Sequence, residues 1–210
     1  MKPPGAVLGL AVLLALAFLA LAVFASTQRV FSLDHTVQAL VQGGRDPRLE
    51  APMRALTLLG SGWVLAALCL PGWWLLRRWG HPLGRVLPAI VAGAFLLNVL
   101  TKWLVARPRP RLTTYGFPSG HALGAVIFFG ALIYALWTVP VSRGRRWAGT
   151  IASLLLIAGV AWSRLYLKVH WASDVAGGLT GGAAYLLLVL LTINRRRSAA
   201  TASRLVHEPH

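Results

Sequence analysis

The 210-residue sequence contains few acidic residues and almost no cysteine. Only 5 Asp and Glu residues stand against 21 Lys and Arg, and charged residues of both signs make up 12% of the chain. The single cysteine, Cys69, lies inside an apolar run, which excludes an intrachain disulfide and a cysteine-rich metal site. So little charge beside 57% hydrophobic residues excludes an ordinary soluble domain and indicates a membrane protein.

The basic excess gives a formal net charge of +16, which raises the question of nucleic-acid binding. The Lys and Arg residues, however, fall in short clusters between apolar runs rather than along one solvated face. This arrangement is typical of membrane topology signals and of contacts with anionic lipid head groups. We therefore expect the bilayer, and no nucleic acid, as a partner.

Long apolar runs recur along the chain and predict an all-α fold, a six-transmembrane helical bundle with short loops. The first run is too long for a usual signal peptide, the competing interpretation, and further runs follow it. Between the first two spans, apolar residues recur at helical spacing over residues 30–41 and predict an interfacial amphipathic helix. We predict one integral-membrane domain over residues 1–194 and a basic, disordered tail over residues 195–210. The predicted spans are 5–25, 55–76, 86–105, 122–139, 147–163 and 173–193.

The position of the basic clusters predicts the orientation of the protein in the plasma membrane. The dense clusters, within residues 77–85, 141–146 and 195–197, all fall on one side of a six-span bundle. Because positively charged loops stay in the cytoplasm, both termini and the tail are predicted to be cytoplasmic. Residues 98–121 and 163–174 then lie together on the extracytoplasmic face.

An ionisable pair before the sixth predicted span is a candidate for chemistry. Asp174 is the one acidic residue beside a long apolar run, where a charge is costly enough to indicate function. His170 lies four residues earlier, so the two share a helix face and the carboxylate can orient the imidazole as a nucleophile or base. The alternative is a histidine satisfied by a neighbouring aspartate in a helix packing interface.

Three cations and a helix start are predicted near this pair. Lys102, Arg109 and Arg164 reach the same face without matching acids, and such a cluster near the membrane requires an anion. Ser119 and Gly120 open the following helix, whose free N–H groups can bind phosphate oxygens. These groups can position and stabilise a phosphoryl group without a metal, and too few carboxylates lie here to hold magnesium. No cofactor is expected.

Three motifs connect these residues. Their patterns are K-x6-R-P from Lys102, P-S-G-H from Pro118 and S-R-x5-H-x3-D from Ser163. All three are complete, and their order and spacing resemble the type 2 phosphatidic acid phosphatase superfamily, in its integral-membrane lipid phosphatase branch. The superfamily also includes vanadium haloperoxidases and glucose-6-phosphatase. The six-span layout is similar to that of the lipid phosphatases over most of residues 1–193.

The resemblance implies a role for each motif residue. His170 would attack phosphorus, Asp174 would orient His170, and His121 would protonate the leaving oxygen. A phosphohistidine would form, and water would then hydrolyse it. The residues implied in binding the phosphoryl oxygens are Lys102, Arg109, Ser119, Gly120 and Arg164.

We therefore expect a membrane phosphatase that hydrolyses the terminal phosphate of a lipid phosphate or diphosphate. Undecaprenyl pyrophosphate, phosphatidate and phosphatidylglycerol phosphate are candidate substrates, and an extracytoplasmic site favours the polyprenyl carrier. Two alternatives stay open. A phosphotransferase would show the same motifs. An anion or lipid transporter could use the same cations, although no convincing internal repeat relates residues 1–105 to residues 106–193.

Four other polar residues near the motifs give weaker signals. Arg107, Arg111 and Tyr115 flank the site and have two interpretations: contact with a lipid head group, or a solvated loop face. Asn98 is predicted to orient Lys102, one turn further along the same span.

Overall fold

The structure, a computed structural model, describes residues 4–110 and 114–206, with side chains as far as Arg196. The predicted all-α class is confirmed: within these ranges the regular elements are helices, and no strand is present. A short 3-10 helix, Pro47–Leu49, precedes the third α-helix. The α-helices are α1 (Pro4–Ser26), α2 (Ser32–Gly43), α3 (Glu50–Leu58), α4 (Gly62–Arg78), α5 (Leu83–Val105), α6 (Gly120–Thr138), α7 (Arg143–Tyr166) and α8 (Ala172–Val206).

Several of these helices are long and apolar enough to cross a bilayer. In the described ranges there are five, and a sixth results if the bent pair α3–α4 is one span. Large apolar side chains cover their outer faces, among them Leu13 on α1 and Leu104 on α5, which are 63% and 83% exposed. Such surfaces require lipid around them. The five segments are Gly5–Ser26, Leu83–Val105, Gly120–Thr138, Arg143–Tyr166 and Ala172–Arg196.

The second predicted span, 55–76, is not one straight helix. Residues 59–61 separate α3 from α4, and the two segments are bent by 49°. Gly60 lies in this break, where a Cβ atom would come within 2.9 Å of the His121 carbonyl oxygen. The break therefore allows a close approach to the start of α6 that only glycine permits. Hydropathy predicts the apolar run but not this bend, because it does not report a packing requirement at one residue.

The core of the bundle forms around α8, which packs against α1 and α6 and also contacts α5 and α7. Gly178 on α8 allows a close approach to the start of α6, since a Cβ atom there would lie 2.5 Å from the Ser119 carbonyl oxygen. The small glycines of the sixth predicted span thus allow close helix packing. A buried apolar cluster joins α5, α6 and α8 and consists of Leu83, Ile90, Ala94, Leu123, Ile127, Ala131, Ala135, Leu186 and Leu190.

The last helix extends further than predicted. α8 continues to Val206 instead of ending near residue 193, so a helix occupies most of the tail for which disorder was expected. Arg and Ala residues favour a helix in this segment, and no Gly or Pro interrupts it before Pro209. Residues 207–210 lie outside the described ranges.

A helix, α2, occupies the connection between the first two predicted spans. Its acidic residue Asp34 is 2% exposed, whereas Leu33 and Leu40 are 66% and 72% exposed. The acid therefore faces the protein and these leucines face away from it. A buried carboxylate needs a positively charged partner, and for Asp34 this partner is Arg107.

Candidate active site

The motif residues come from four helices whose ends meet on the same side of the bundle. Lys102 and Arg164 lie in the last turns of α5 and α7, whereas Gly120 and Asp174 lie in the first turns of α6 and α8. Successive helices alternate in direction, so these ends come together. The loops between α5 and α6 and between α7 and α8 close this side of the bundle and contribute the remaining motif residues.

The predicted pair of His170 and Asp174 is present. His170 Nδ1 lies 3.3 Å from Asp174 Oδ2, and both side chains are at most 1% exposed. The Trp171 backbone N–H donates to the same oxygen at 3.1 Å. With the Nδ1 proton directed to the carboxylate, the lone pair of the imidazole lies on Nε2, where it can attack an electrophile.

The charge state of His170 suits a nucleophile. Burial lowers the pKa of His170 well below its ordinary value, and the nearby positive charges of Arg109, Arg164 and Lys102 lower it further. A backbone hydrogen bond with Gly116 acts in the opposite direction. The imidazole is therefore neutral at pH 7 and keeps its lone pair.

Two of the cations hold the loop that precedes α6. Lys102 Nζ donates to the carbonyl oxygens of Tyr115 and Gly116, each at 3.2 Å, and of Pro118 at 2.7 Å. Arg109 Nε donates to the Tyr115 carbonyl oxygen at 2.9 Å. Both cations are therefore fixed beside His170 by backbone oxygens, and each stabilises the turn that leads into the P-S-G-H motif.

Two further motif residues present unpaired donors. Ser119 Oγ and Arg164 Nε are buried and make no hydrogen bond within the described part of the chain. The opposite edge of the Arg164 guanidinium donates from Nη1 to Thr57 Oγ1 at 2.6 Å. Buried donors without partners are costly. One of these donors lies at the N-terminus of α6 and the other on a cation, and together they indicate a site for an oxyanion.

His121 lies in the first turn of α6, immediately after Ser119 and Gly120. It interacts electrostatically with His170 and with all three cations. On its other side, the break between α3 and α4 packs Gly60 against its backbone. The eight predicted site residues are thus brought to one region, which holds both imidazoles.

The sequence-based interpretations of Arg107 were wrong. Both interpretations offered for it, a head-group contact and a solvated loop face, require exposure, but Arg107 is 0% exposed. Its Nη1 donates to Asp174 Oδ1 at 3.0 Å, and its Nη2 donates to Asp34 Oδ2 at 2.9 Å. The scarcity of acids was the available signal, because each of the few carboxylates in such a chain needs a partner.

Thr57 was not predicted from the sequence, and Asn98 lacks its predicted contact within the described part of the chain. Thr57, which no motif includes, holds Arg164. Asn98 does not contact Lys102 through any hydrogen bond in the described ranges. Its Oδ1 atom, which lacks a partner there, lies 3.0 Å from the position of a Cβ atom on Gly120. Of the flanking residues, Tyr115 contacts Trp103 edge to face, and Arg111 lies outside the described ranges.

Comparisons with known proteins agree with this arrangement. Residues 83–198, more than half of the chain, match the PAP2 superfamily. Phosphatidylglycerophosphatase B of Bacillus subtilis (strain 168) is 30% identical over 184 residues, which cover 82% of this chain and 89% of that protein. The chain therefore belongs to the PAP2 superfamily, as its motifs predict, and is a membrane phosphatase.

Two further relatives define the similarity. Escherichia coli (strain K12) YbjG, whose name assigns an undecaprenyl-diphosphatase activity provisionally, is 34% identical over 123 residues. That match covers 51% of this chain and 58% of YbjG. The crystal structure of a transmembrane PAP2-type phosphatidylglycerolphosphate phosphatase from Bacillus subtilis superimposes with a TM-score of 0.78 at 28% identity. It covers 88% of this chain and 96% of the crystallised chain.

Proposed function

We propose that this chain is a lipid phosphatase that releases the terminal phosphate of a lipid phosphate or diphosphate. The observation that carries the proposal is the neutral, buried His170, oriented by Asp174 and faced by the cations Lys102, Arg109 and Arg164. The names of the relatives, which refer to phosphatidylglycerophosphate and undecaprenyl diphosphate, support this substrate class.

The reaction proceeds in two steps at one phosphorus atom. His170 Nε2 forms a bond to phosphorus, the bond from phosphorus to the leaving oxygen breaks, and His121 donates a proton to that oxygen. Water then attacks the phosphohistidine, gives a proton to His121, and displaces His170 as orthophosphate forms. Arg109, Arg164, Lys102 and the N–H groups at the start of α6 stabilise the negative charge on the equatorial oxygens in both steps.

A cavity beside Arg164 offers space for the leaving part of the substrate. It has a volume of about 550 Å³. Glu50 pairs with Arg45 and Arg54 there, so these three residues carry one net positive charge in addition to that of Arg164. This charge favours a second phosphate over a neutral glycerolipid. The cavity is lined by Arg45, Glu50, Arg54, Ala55, Thr57, Leu58, Arg164, Leu167 and Val169.

Substrate choice is tested by phosphate release from detergent-solubilised protein. Undecaprenyl pyrophosphate, phosphatidate and phosphatidylglycerol phosphate are compared, with His170→Ala as the inactive control. We expect phosphatidate, whose leaving glycerolipid is neutral, to have the lowest kcat/KM, and Arg54→Gln to reduce that difference. Transfer of labelled phosphate to a second lipid would favour a phosphotransferase, and no turnover of any lipid would contradict the proposal.

We also propose that the chain crosses the membrane six times. The bent pair α3–α4 forms one of these crossings, and α2 lies at the membrane interface. The exposed Leu33 and Leu40 support the position of α2, and the basic loop clusters support cytoplasmic termini and an extracytoplasmic site in the plasma membrane. In a Cys69→Ala background, an impermeant thiol reagent on intact cells should label Thr114→Cys and not Gly144→Cys. The reverse pattern would invert the orientation.

A further inference from the structure

A buried chain of ionic contacts continues from the nucleophile to α2. Asp174 uses its two oxygens differently: Oδ2 faces His170 Nδ1, and Oδ1 accepts from Arg107 Nη1. Arg107 Nη2 in turn donates to Asp34 Oδ2 at 2.9 Å and to the Arg29 carbonyl oxygen at 3.1 Å. The side chains of Asp34, Arg107 and Asp174 are each at most 2% exposed.

Ser173 completes this network from the first turn of α8. Its backbone N–H donates to Asp34 Oδ1 at 2.8 Å, and its hydroxyl donates to Asp34 Oδ2 at 2.7 Å. The same hydroxyl accepts from Arg107 Nη1 at 2.6 Å. Asp34 is therefore held by α8 next to the catalytic aspartate, and α2 is fixed to the active site through its one buried acid.

The charges of the network do not cancel. Two carboxylates and one guanidinium leave one net negative charge beside His170. If Asp34 were absent, Arg107 would neutralise Asp174 alone, and the carboxylate would become a weaker acceptor for the His170 Nδ1 proton. Attack on phosphorus turns the imidazole into a cation, so the strength of that acceptor acts directly on the step that forms the phosphohistidine.

We propose that Asp34 and Arg107 are positioning residues for the nucleophile. Arg107 binds Oδ1 of Asp174 and so directs Oδ2 toward His170. Asp34 also pairs with Arg107, so the positive charge of Arg107 does not fully neutralise Asp174. The inference rests on the proposed phosphohistidine mechanism. It extends the catalytic pair to a residue in the connection between α1 and α3, outside the three motifs.

The test compares charge variants by the rate of phosphoenzyme formation, measured by rapid quench with terminally labelled undecaprenyl pyrophosphate. Asp34→Asn makes the network neutral and should slow this step about 10- to 100-fold, the usual range for a residue that supports a functional side chain, with KM changed less than about twofold. Arg107→Gln leaves two uncompensated carboxylates and should also be slow. Asp46→Asn, an acid in the same connection that caps the 3-10 helix, is the matched control and should retain the wild-type rate.

The double variant Asp34→Asn with Arg107→Gln separates charge balance from mere packing. It restores one net negative charge, so it should form the phosphoenzyme faster than either single variant. A double variant as slow as the slower single variant would show that the network only holds the fold and would overturn the proposal. So would an Asp34→Asn rate equal to that of the wild type.

Two measurements keep the outcome decisive. Ser173→Ala removes the neutral hydroxyl between Arg107 and Asp34 without leaving an unpaired charge, so it decides the question if Asp34→Asn does not fold. It should slow phosphoenzyme formation about threefold or more at unchanged KM, and an unchanged rate would contradict the proposal. Absence of phosphate release from every lipid by the wild-type protein would instead refute the proposed function, so the two failures are distinguishable.

Discussion

Thr57→Val is the substitution that tests most sharply what the structure adds to the motifs. Thr57 lies outside the three motifs, and its hydroxyl accepts a hydrogen bond of 2.6 Å from Nη1 of Arg164. Valine has nearly the same shape, so the change removes the acceptor and little else. Arg164 is a buried residue, 7% exposed, so little water can replace the lost acceptor. Its guanidinium then has no fixed partner on that edge.

The size of the effect follows from the kind of hydrogen bond that is lost. A hydrogen bond to a charged group contributes about 1.5–3 kcal/mol. If Arg164 uses this contact to meet the phosphoryl oxygens in the transition state, kcat/KM should fall about 10- to 150-fold, since about 1.4 kcal/mol corresponds to a factor of ten.

The assay is steady-state phosphate release from the best lipid substrate in detergent, together with a thermal unfolding curve of each variant. Thr36→Val is the matched control, because the Thr36 hydroxyl donates to the Ser32 carbonyl oxygen within α2 and, among the residues that the structure describes, to no other group. It should leave kcat/KM unchanged. A Thr57→Val protein that unfolds at the wild-type temperature and keeps kcat/KM within twofold would refute the assignment of Thr57 to the support of Arg164.

Three further predictions concern packing, protonation and inhibition. Gly178→Ala should destabilise the folded protein by about 1–3 kcal/mol, because its Cβ atom would lie 2.5 Å from the Ser119 carbonyl oxygen, whereas Gly72→Ala, with open space around it, should not; thermal unfolding compares the two. The His170 resonance in a histidine NMR titration, assigned by its loss in His170→Gln, should not titrate through pH 6.5, the ordinary histidine pKa, because its own pKa lies well below that value. The unfolded chain does gain that proton, so His170 lowers the free energy of unfolding as pH falls below about 6.5, and a normal titration would contradict the burial described here. Phosphate release should persist in EDTA and be inhibited by millimolar vanadate, which mimics the in-line transition state; activity lost in EDTA and restored by magnesium would contradict a mechanism in which side-chain cations stabilise the phosphoryl group.

The sequence was informative where chemistry requires fixed spacing. His170 and Asp174 lie four residues apart at the start of a helix, so their contact could be read directly from the spacing. The helical class and most span boundaries followed from hydropathy, because a bilayer sets the length of each apolar run. These features depend on local periodicity and need no knowledge of how distant segments pack.

The remaining features depend on contacts between distant segments. Arg107 and Asp34 are separated by 73 positions, and no local pattern connects them. Gly60 breaks the second span because it meets the backbone of His121, which belongs to another helix. The burial of Asp34 on α2 was not predicted for the same reason: Asp34 turns inward to reach Arg107, whose own burial could not be read from its Pro-rich loop.

The nucleophilic role of His170 is tested by trapping the covalent intermediate. In rapid-quench experiments with a terminally labelled polyprenyl diphosphate, His121→Ala should accumulate protein-bound label while free phosphate stays low. The polyprenyl phosphate leaves readily without a proton from His121, so the phosphohistidine still forms. Without His121 as a base, water then hydrolyses it slowly. His170→Ala should show no bound label and no release with any substrate. Bound label that persists in His170→Ala, or its absence in both the wild-type protein and His121→Ala, would contradict the phosphohistidine mechanism.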